Sequence, residues 1–254
     1  MFIRNNYMKF SLITPTYNSA ATISRTIVSV IAQEFSDLEY IIIDGGSKDN
    51  TLDIIKSYQS KINIKLVSEP DNGIYNAMNK GIKLASGEVV GILNSDDLFF
   101  DNSILNLVSE SFFDNKIDIV YGDIEYFSSD IDKTNRYWKT GEYRERKLNN
   151  GWTIPHPALF IRRRVYDQAG LYREDFRVAA DYEFILRILK KHRFDLKYIP
   201  RVLVKMYSGG TSGRDLRQRK RGWQELKKAW LVNDFKPPFL FIFRRIILKI
   251  KQFV

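Results

Sequence analysis

Over its first hundred residues the chain alternates short apolar runs with segments whose apolar positions recur at helical spacing. Residues 9–14 (KFSLIT) form an apolar run ending at Pro15, and 39–43 (EYIII) form a second run stopped by Asp44-Gly45-Gly46. Between them, 20–33 places Ile23, Ile27, Val30 and Ile31 on one helical face. The spacing predicts further helices over 49–58 and 74–85, and strands over 62–67 and 88–93. Strands alternating with helices of this length predict right-handed βαβ units and a mostly parallel, Rossmann-like sheet with flanking helices, an α/β fold.

The pattern then loosens. Helices are expected over 101–113, 162–169 and 180–191, the last carrying Phe184, Ile185, Ile188 and Leu189. Short strands are expected over 117–121, 124–127, 158–161, 198–199 and 202–206. Residues 128–153 read as a long functional loop, and 207–221 as a Gly/Ser/Arg-rich loop. The expected organisation is a catalytic body over 1–206, with halves meeting near residue 100, a mobile loop and helix over 207–235, and an amphipathic tail over 236–254.

Composition narrows the chemistry. Cysteine is absent, so thiolate metal sites are excluded, and with only His156 and His192 a histidine-built metal cage is not expected. The net charge of +10 is confined to the C-terminal fifth. Residues 1–200 carry 26 basic and 27 acidic side chains, against 14 and 3 over 201–254. This asymmetry argues against a body that grips nucleic acid and for an appendage that seeks an anionic surface. In the tail, Phe239, Ile242, Phe243, Ile246, Ile247, Ile250, Phe253 and Val254 fall on one helical stripe. Arg244, Arg245 and Lys251 lie off it. This is the pattern of a basic amphipathic helix at a membrane interface, or of a terminal helix packed on its domain. The N-terminus has no signal-peptide pattern and no run is long enough to span a bilayer. The expected location is cytoplasmic, peripheral on the inner-membrane face.

Candidate chemistry gathers at the strand tips, where open α/β sheets bind ligands. Ser95-Asp96-Asp97 follows the fourth strand. Adjacent carboxylates there repel unless a cation lies beside them, and oxygen ligands favour Mg2+ or Mn2+. The alternative for Asp97, or for Asp101, is to cap the next helix. Asp44 ends the second strand, where it can accept a hydrogen bond from a base or ribose. Tyr17, after Pro15-Thr16, can stack on a planar ring or pack the turn. Asp181 opens a helix, as a general base or as an N-cap. His156 sits rigidly between Pro155 and Pro157, as a ligand-contacting or a structural histidine. Trp152 is a candidate sugar platform or a core residue.

Taken in order, Pro15-Thr16-Tyr17-Asn18, Asp44-Gly45-Gly46-Ser47-Lys48-Asp49-Asn50-Thr51, the stretch 69–81 (EPDNGIYNAMNKG) and Ser95-Asp96-Asp97 resemble glycosyltransferase family 2. The resemblance runs from about residue 11 to 97. It resumes at His156-Pro157-Ala158-Leu159-Phe160 and at Ala180-Asp181-Tyr182-Glu183. Within the family it is most similar to bacterial enzymes that build O-antigen, capsule and other exopolysaccharides. It implies a GT-A fold and metal-dependent, inverting sugar transfer from a nucleotide sugar. The nucleotide implied is UDP, and the acceptor is a saccharide on undecaprenyl diphosphate. Site roles follow by position: Pro15, Tyr17, Asp44, Asp71, Ser95 and Asp96 toward the nucleotide, Asp96, Asp97 and His156 toward Mn2+ or Mg2+, and Asp181 as base. Trp152, Glu183, Gly210 and Arg214 are expected near acceptor or diphosphate. Gly45 and Asn94 stand where the family often has Asp. This shifts base recognition toward Asp44 or Asp71, and metal duty onto Asp96 and Asp97.

Two rivals remain. A sugar-1-phosphate nucleotidyltransferase would carry a Gly-rich basic loop after the first strand, where this chain has Thr14-Pro15-Thr16-Tyr17-Asn18. A non-catalytic membrane or nucleic-acid binder would leave Asp96, Asp97 and Asp181 without a purpose.

Overall fold

The computed structural model describes residues 8–128, 130–209, 216–250 and 252, with the backbone alone for 216–219. The first half alternates β1 (Phe10–Thr16), α1 (Ile23–Ile31), β2 (Leu38–Asp44), α2 (Thr51–Ser57), β3 (Ile64–Ser68), α3 (Ile74–Leu84) and β4 (Val89–Ile92). These four strands are mutually parallel, in the spatial order β3-β2-β1-β4. The second half adds β5 (Leu98–Phe99), α4 (Ile104–Ser111), β6 (Ile119–Phe127), β7 (Thr134–Trp138), α5 (Glu145–Asn149), β8 (Leu159–Arg162), α6 (Arg163–Ala169), α7 (Ala180–Leu186) and β9 (Leu196–Tyr207). Here β8 runs antiparallel between β4 and β6, and the sheet continues β6-β9-β5 with β7 beside β6. Two further helices follow, α8 (Leu216–Val232) and α9 (Phe241–Ile250).

Side-chain alternation sorts each central strand between two cores. Ile13, Ile41, Ile43, Val90 and Ile92 face the layer of α3, α7 and α8. Leu12, Tyr40, Ile42 and Val89 face the opposite layer of α1, α2 and α4. Burial on both faces explains why EYIII reads as an unbroken apolar run rather than an alternating one. Each fully buried Ile contributes about 1.5–3 kcal/mol of transfer free energy.

Four local expectations change. The strands expected on either side of Gly122-Asp123 are one strand, β6, whose register against β9 shifts at Asp123. That bulge turns the buried Asp123 carboxylate onto Thr140 N (2.7 Å), the Tyr137 hydroxyl (2.7 Å) and the Tyr198 hydroxyl (2.8 Å). It thereby organises the region expected to be a long loop, which carries β7 and α5. Segments 198–199 and 202–206 likewise merge into the 12-residue β9. The Gly/Ser/Arg-rich loop is shorter than expected, because α8 begins at Leu216.

The tail docks by one face. Phe241 is buried against the rings of Tyr182 and Trp230. Gly151 has φ +89, and a Cβ there would lie 2.8 Å from the Arg245 Cα, so only glycine admits α9 this closely. Phe239, Leu240, Phe243, Ile246, Ile247 and Ile250 remain exposed on the other face. Among the described residues no helix is long and apolar enough to cross a membrane.

Candidate active site

The tips of β1, β2 and β4 are laced together. Asn18, at φ 48, accepts from Lys48 N (2.8 Å), and Ser19 N donates to Thr51 Oγ1 (2.8 Å). The Ser19 and Ser95 hydroxyls lie 2.8 Å apart. Pro15 is buried within β1 opposite Ile43, so it aims the turn rather than lining an open surface. Tyr17, just beyond it, is 59% exposed, which leaves its ring free of the packing role.

Asp44 is wholly buried. Its carboxylate accepts from Gly46 N (3.1 Å), Ser47 N (3.0 Å), the Ser68 hydroxyl (2.7 Å) and the Ser47 hydroxyl. It is thus committed to shaping its own loop, and the expected hydrogen bond from a base has no open oxygen to meet. Asp71 is better placed. A Cβ on Gly45 would lie 2.5 Å from Asp71 Oδ2, so the Asp71 carboxylate fills the space that an acidic side chain at 45 would take. Its other oxygen accepts from Gly73 N (2.8 Å).

From β4 a continuous polar line crosses the site. Asp97 is buried and accepts from Tyr207 N (3.0 Å) and Asn94 Nδ2 (2.9 Å). Asn94 Nδ2 is also 3.3 Å from His156 Nε2, and His156 Nδ1 is 3.7 Å from Asp181 Oδ2. The Tyr75 hydroxyl contacts Asp181 Oδ1 at 3.3 Å and donates to Val178 O at 3.0 Å. Burial, then the charge of Asp96, pushes the Asp97 carboxyl well above the usual range. Burial also raises Asp96, and the nearby Arg25 guanidinium partly offsets both shifts. Burial holds His156 below its ordinary pKa against the opposing charge of Asp181, so its ring is neutral at pH 7.

The capping alternatives for Asp97 and Asp181 fail on contacts. Asp97 makes no bond to the start of α4, where Asp101 accepts from Ser103 N (2.9 Å) instead. Asp181 is the second residue of α7, and the helix has no side-chain cap of its own. The buried Glu225 of α8 serves that end, accepting from Val178 N (2.8 Å) and Ala179 N (2.9 Å). Asp181 therefore keeps its carboxylate, 31% exposed, for other work.

Other expected site residues are placed differently. Trp152 offers no open platform: it is buried, its indole N–H donates to Thr140 O (2.6 Å), and its ring packs on Tyr121 and Tyr143. Glu183 is 1% exposed and bound to Arg187 (2.9 Å) and Asn233 (3.0 Å), so it is a structural carboxylate. Gly210 and Arg214 lie outside the described residues. His156 is not brought in as a third ligand with Asp96 and Asp97. Among the described residues no three acidic or histidine side chains converge as a metal cluster. The donor set fits a divalent cation in another way. The buried Asp97 carboxylate, the half-buried Asp96 carboxylate that repels it and the unpartnered Asn94 Oδ1 make an oxygen-rich, electron-rich corner, and Mg2+-type ions commonly take one or two carboxylates plus substrate phosphates.

Sequence reading missed Tyr75, which lies in the 69–81 motif but carries no signal of its role. It also missed Arg25, whose guanidinium lies over the rings of Phe127 (5.0 Å) and Tyr207 (4.7 Å) beside the Asp pair. The Arg25 charge gives a pH test. Under the function proposed below, binding of a nucleotide with Mn2+ should fall on acidification at a pH above that of an ordinary carboxylate, because Asp96 and Asp97 take up protons early. Arg25→Leu should move that fall to still higher pH, read by calorimetric titration between pH 5 and 8. An unmoved or acid-shifted midpoint would contradict the electrostatics. A larger cavity, of about 610 Å3 and lined by Glu142, Arg193 and Asp195 among others, holds none of these carboxylates and is not the site.

The fold and the ordered strand-tip motifs meet in one class. The model for "Glycosyl transferase family 2" matches residues 11–170, and the chain belongs to that family. A "PGL/p-HBAD biosynthesis glycosyltransferase" of Mycobacterium bovis is 33% identical over 208 residues, covering 80% of this chain and 78% of that protein. The hyaluronan synthase of Pasteurella multocida is 27% identical over 88% of this chain, which spans only 22% of its length. Among solved structures, S. aureus TarS 1–349 in complex with UDP has a TM-score of 0.68 at 20% identity, covering 95% of this chain and 70% of that one. The mannosyltransferase PcManGT of Pyrobaculum calidifontis, in complex with GDP-Man and Mn2+, has a TM-score of 0.69 at 18% identity, covering 96% and 70%. The fold is thus the GT-A arrangement of glycosyltransferases.

Proposed function

We propose that the protein is an inverting glycosyltransferase that moves a sugar from a UDP-sugar to a lipid-linked oligosaccharide during assembly of a bacterial surface polysaccharide such as O-antigen or capsule. The observation that carries this reading is the line Asp97–Asn94–His156–Asp181, which sets a partly open carboxylate beside the acidic strand tip. The acceptor hydroxyl gives its proton to Asp181 as its oxygen attacks the anomeric carbon opposite the diphosphate. The bond from that carbon to the diphosphate oxygen breaks, and the nucleoside diphosphate leaves with the electron pair. The Tyr75 hydroxyl meets one oxygen of Asp181, and the neutral His156 ring stands 3.7 Å from the other. Tyr17 and Asp71 bound the nucleoside, and Ser95 and Asp96 its phosphate side. Asp96 and Asp97 would hold Mn2+ or Mg2+, which supplies positive charge for the leaving diphosphate.

A thermal-shift screen of nucleotide sugars tests the reading. A UDP-sugar at a hundred times its Kd should stabilise by about 2.7 kcal/mol. For a chain of this size that is roughly 5–10 °C. The shift should require Mn2+ or Mg2+ and vanish in EDTA. Stabilisation by GDP-sugars alone would overturn the choice of uridine, and no stabilisation by any nucleotide sugar would overturn the donor class.

The tail supports a membrane-bound acceptor and a peripheral position on the cytoplasmic face of the inner membrane. Its outward face is apolar, and cations such as Arg244 flank it. Anionic lipid attracts each nearby Lys or Arg by about 1 kcal/mol. The double substitution Phe243→Glu with Ile250→Glu should abolish sedimentation with anionic vesicles while leaving the melting temperature and transfer to a soluble acceptor unchanged. Undiminished vesicle binding would remove the outward face from the interaction.

A further inference from the structure

The docking of α9 encloses a second cavity, of about 260 Å3, whose walls include Trp138, Lys139, Trp152, Thr153, Arg245 and Lys249. Among the described residues its lining contains Lys139 and Arg245, from two separate segments, and no carboxylate. Arg245 is partly buried. Its guanidinium donates to Gly151 O (2.9 Å) and lies over the Tyr182 ring at 5.0 Å, and no described carboxylate comes within 4.0 Å of it. The charge of Asp181 reaches it, yet burial still disfavours the charged guanidinium, so an anion in the cavity would stabilise it. The Thr153 hydroxyl, in a residue only 5% exposed, has no hydrogen-bond partner. Thr153 is three residues from His156, and Tyr182 adjoins Asp181, so the cavity neighbours the acceptor side of the active site.

The same helix fixes what kind of anion reaches it. Its outward face is Phe243, Ile246, Ile247 and Ile250, and its inward face is Phe241, Arg245 and Leu248. An interfacial helix buries its apolar face about 5–10 Å into the headgroup boundary. A helix is about 10–12 Å across, so the inward face then stands at the depth of lipid phosphates. The forked donors of arginine match phosphate oxygens. At about 260 Å3 the cavity falls below the roughly 300–1,000 Å3 of sites for whole drug-sized ligands, so it suits a headgroup rather than an entire nucleotide sugar.

We propose that this cavity binds the phosphate of a lipid-phosphate-linked acceptor, with Arg245 and Lys139 as its charged contacts. The acceptor class rests on the function proposed above; the anion site rests on the cavity. The test uses the full chain in EDTA without donor, and geranyl phosphate as the probe. Trp138 and Trp152 line the cavity, so binding reads out as a change in tryptophan fluorescence. Geranyl phosphate should bind saturably, with geraniol and inorganic phosphate at least tenfold weaker. Arg245→Gln should weaken it at least tenfold. Lys139 is exposed at the rim, so Lys139→Glu should do the same without touching the fold. Wild-type affinity in Lys139→Glu, or in a folded Arg245→Gln, would overturn the proposal. Inorganic phosphate binding as tightly as geranyl phosphate would overturn the lipid source. Because neither donor nor metal is present, probe binding that depends on both cations stands even if the nucleotide-sugar screen fails. Conversely, a working transferase whose probe binding ignores both substitutions loses only this site.

Discussion

Asp181→Asn should lower turnover at least about a hundredfold while leaving donor affinity nearly unchanged, in line with general-base contributions of 10²–10⁴. The substitution keeps the shape and lets the amide oxygen accept from the Tyr75 hydroxyl, now 3.3 Å from Oδ1. The amide nitrogen then faces His156 Nδ1, and it cannot take the acceptor's proton. Glu183, next in the same helix turn, offers no rescue, because it is 1% exposed and bound to Arg187 and Asn233. Steady-state rates with donor affinity measured separately decide the matter. Turnover within a few fold of wild type would remove Asp181 as the base. A collapse of donor affinity would make it a binding residue. Glu225→Gln tests the support beneath it. This carboxylate accepts from the N–H groups of Arg177, Val178 and Ala179, and its loss should loosen the start of α7 and lower turnover by less than Asp181→Asn does.

What the sequence made legible was whatever depends on local periodicity. The β1, β2 and β4 core runs were visible because strands buried on both faces are apolar nearly throughout. Their order along the chain was enough to set the strand-tip motifs side by side. The second half was less legible because its elements are defined by distant partners. Gly122 and Asp123 look like a turn between two strands, yet β9 supplies a neighbour that carries β6 straight through, with one bulge. The shape of Asp44 is similar: a carboxylate at a strand tip suggests an open ligand contact, but four donors from its own loop and from β3 close it. Asp71 stands above Gly45 only because two loops 26 residues apart in sequence are stacked in space, and the missing Asp at 45 was the available clue. In the tail Phe239, Phe243, Ile246, Ile247 and Ile250 are exposed, whereas Ile242 of the same stripe packs against the core and Phe253 and Val254 lie outside the described residues. If the apolar face turns outward, Arg245 must turn inward, next to Tyr182.

Asp97→Asn should separate stability from activity. In wild type Asp97 is buried beside Asp96, and burial and that neighbouring charge both raise its pKa. A carboxyl whose folded pKa lies above the unfolded value, about 3.9, contributes stability below that value and loses it as pH rises through the folded pKa. At pH 7, well above the unfolded value, Asp97 therefore opposes folding, and a neutral amide does not. The contacts accept the exchange. The new amide oxygen can accept from Tyr207 N, and its NH2 can donate to Asn94 Oδ1, which has no partner in the wild-type structure, once the Asn94 amide turns over. The variant without metal should melt a few degrees higher than wild type at pH 7, about 2–4 °C per kcal/mol for a chain of this size. The gap should shrink as pH falls toward 4. Activity should move the other way. A divalent ion facing one carboxylate instead of two loses charge stabilisation of the leaving diphosphate, and each 1.36 kcal/mol lost is tenfold in rate. A loss of a hundredfold or more at saturating Mn2+ is expected. Adding Mn2+ and UDP should stabilise wild type more than the variant and so narrow or reverse the melting order. A variant that melts lower than wild type at pH 7 would show that the Asp97 carboxylate is held for structure. One that keeps full Mn2+-dependent turnover would show that the ion is held elsewhere.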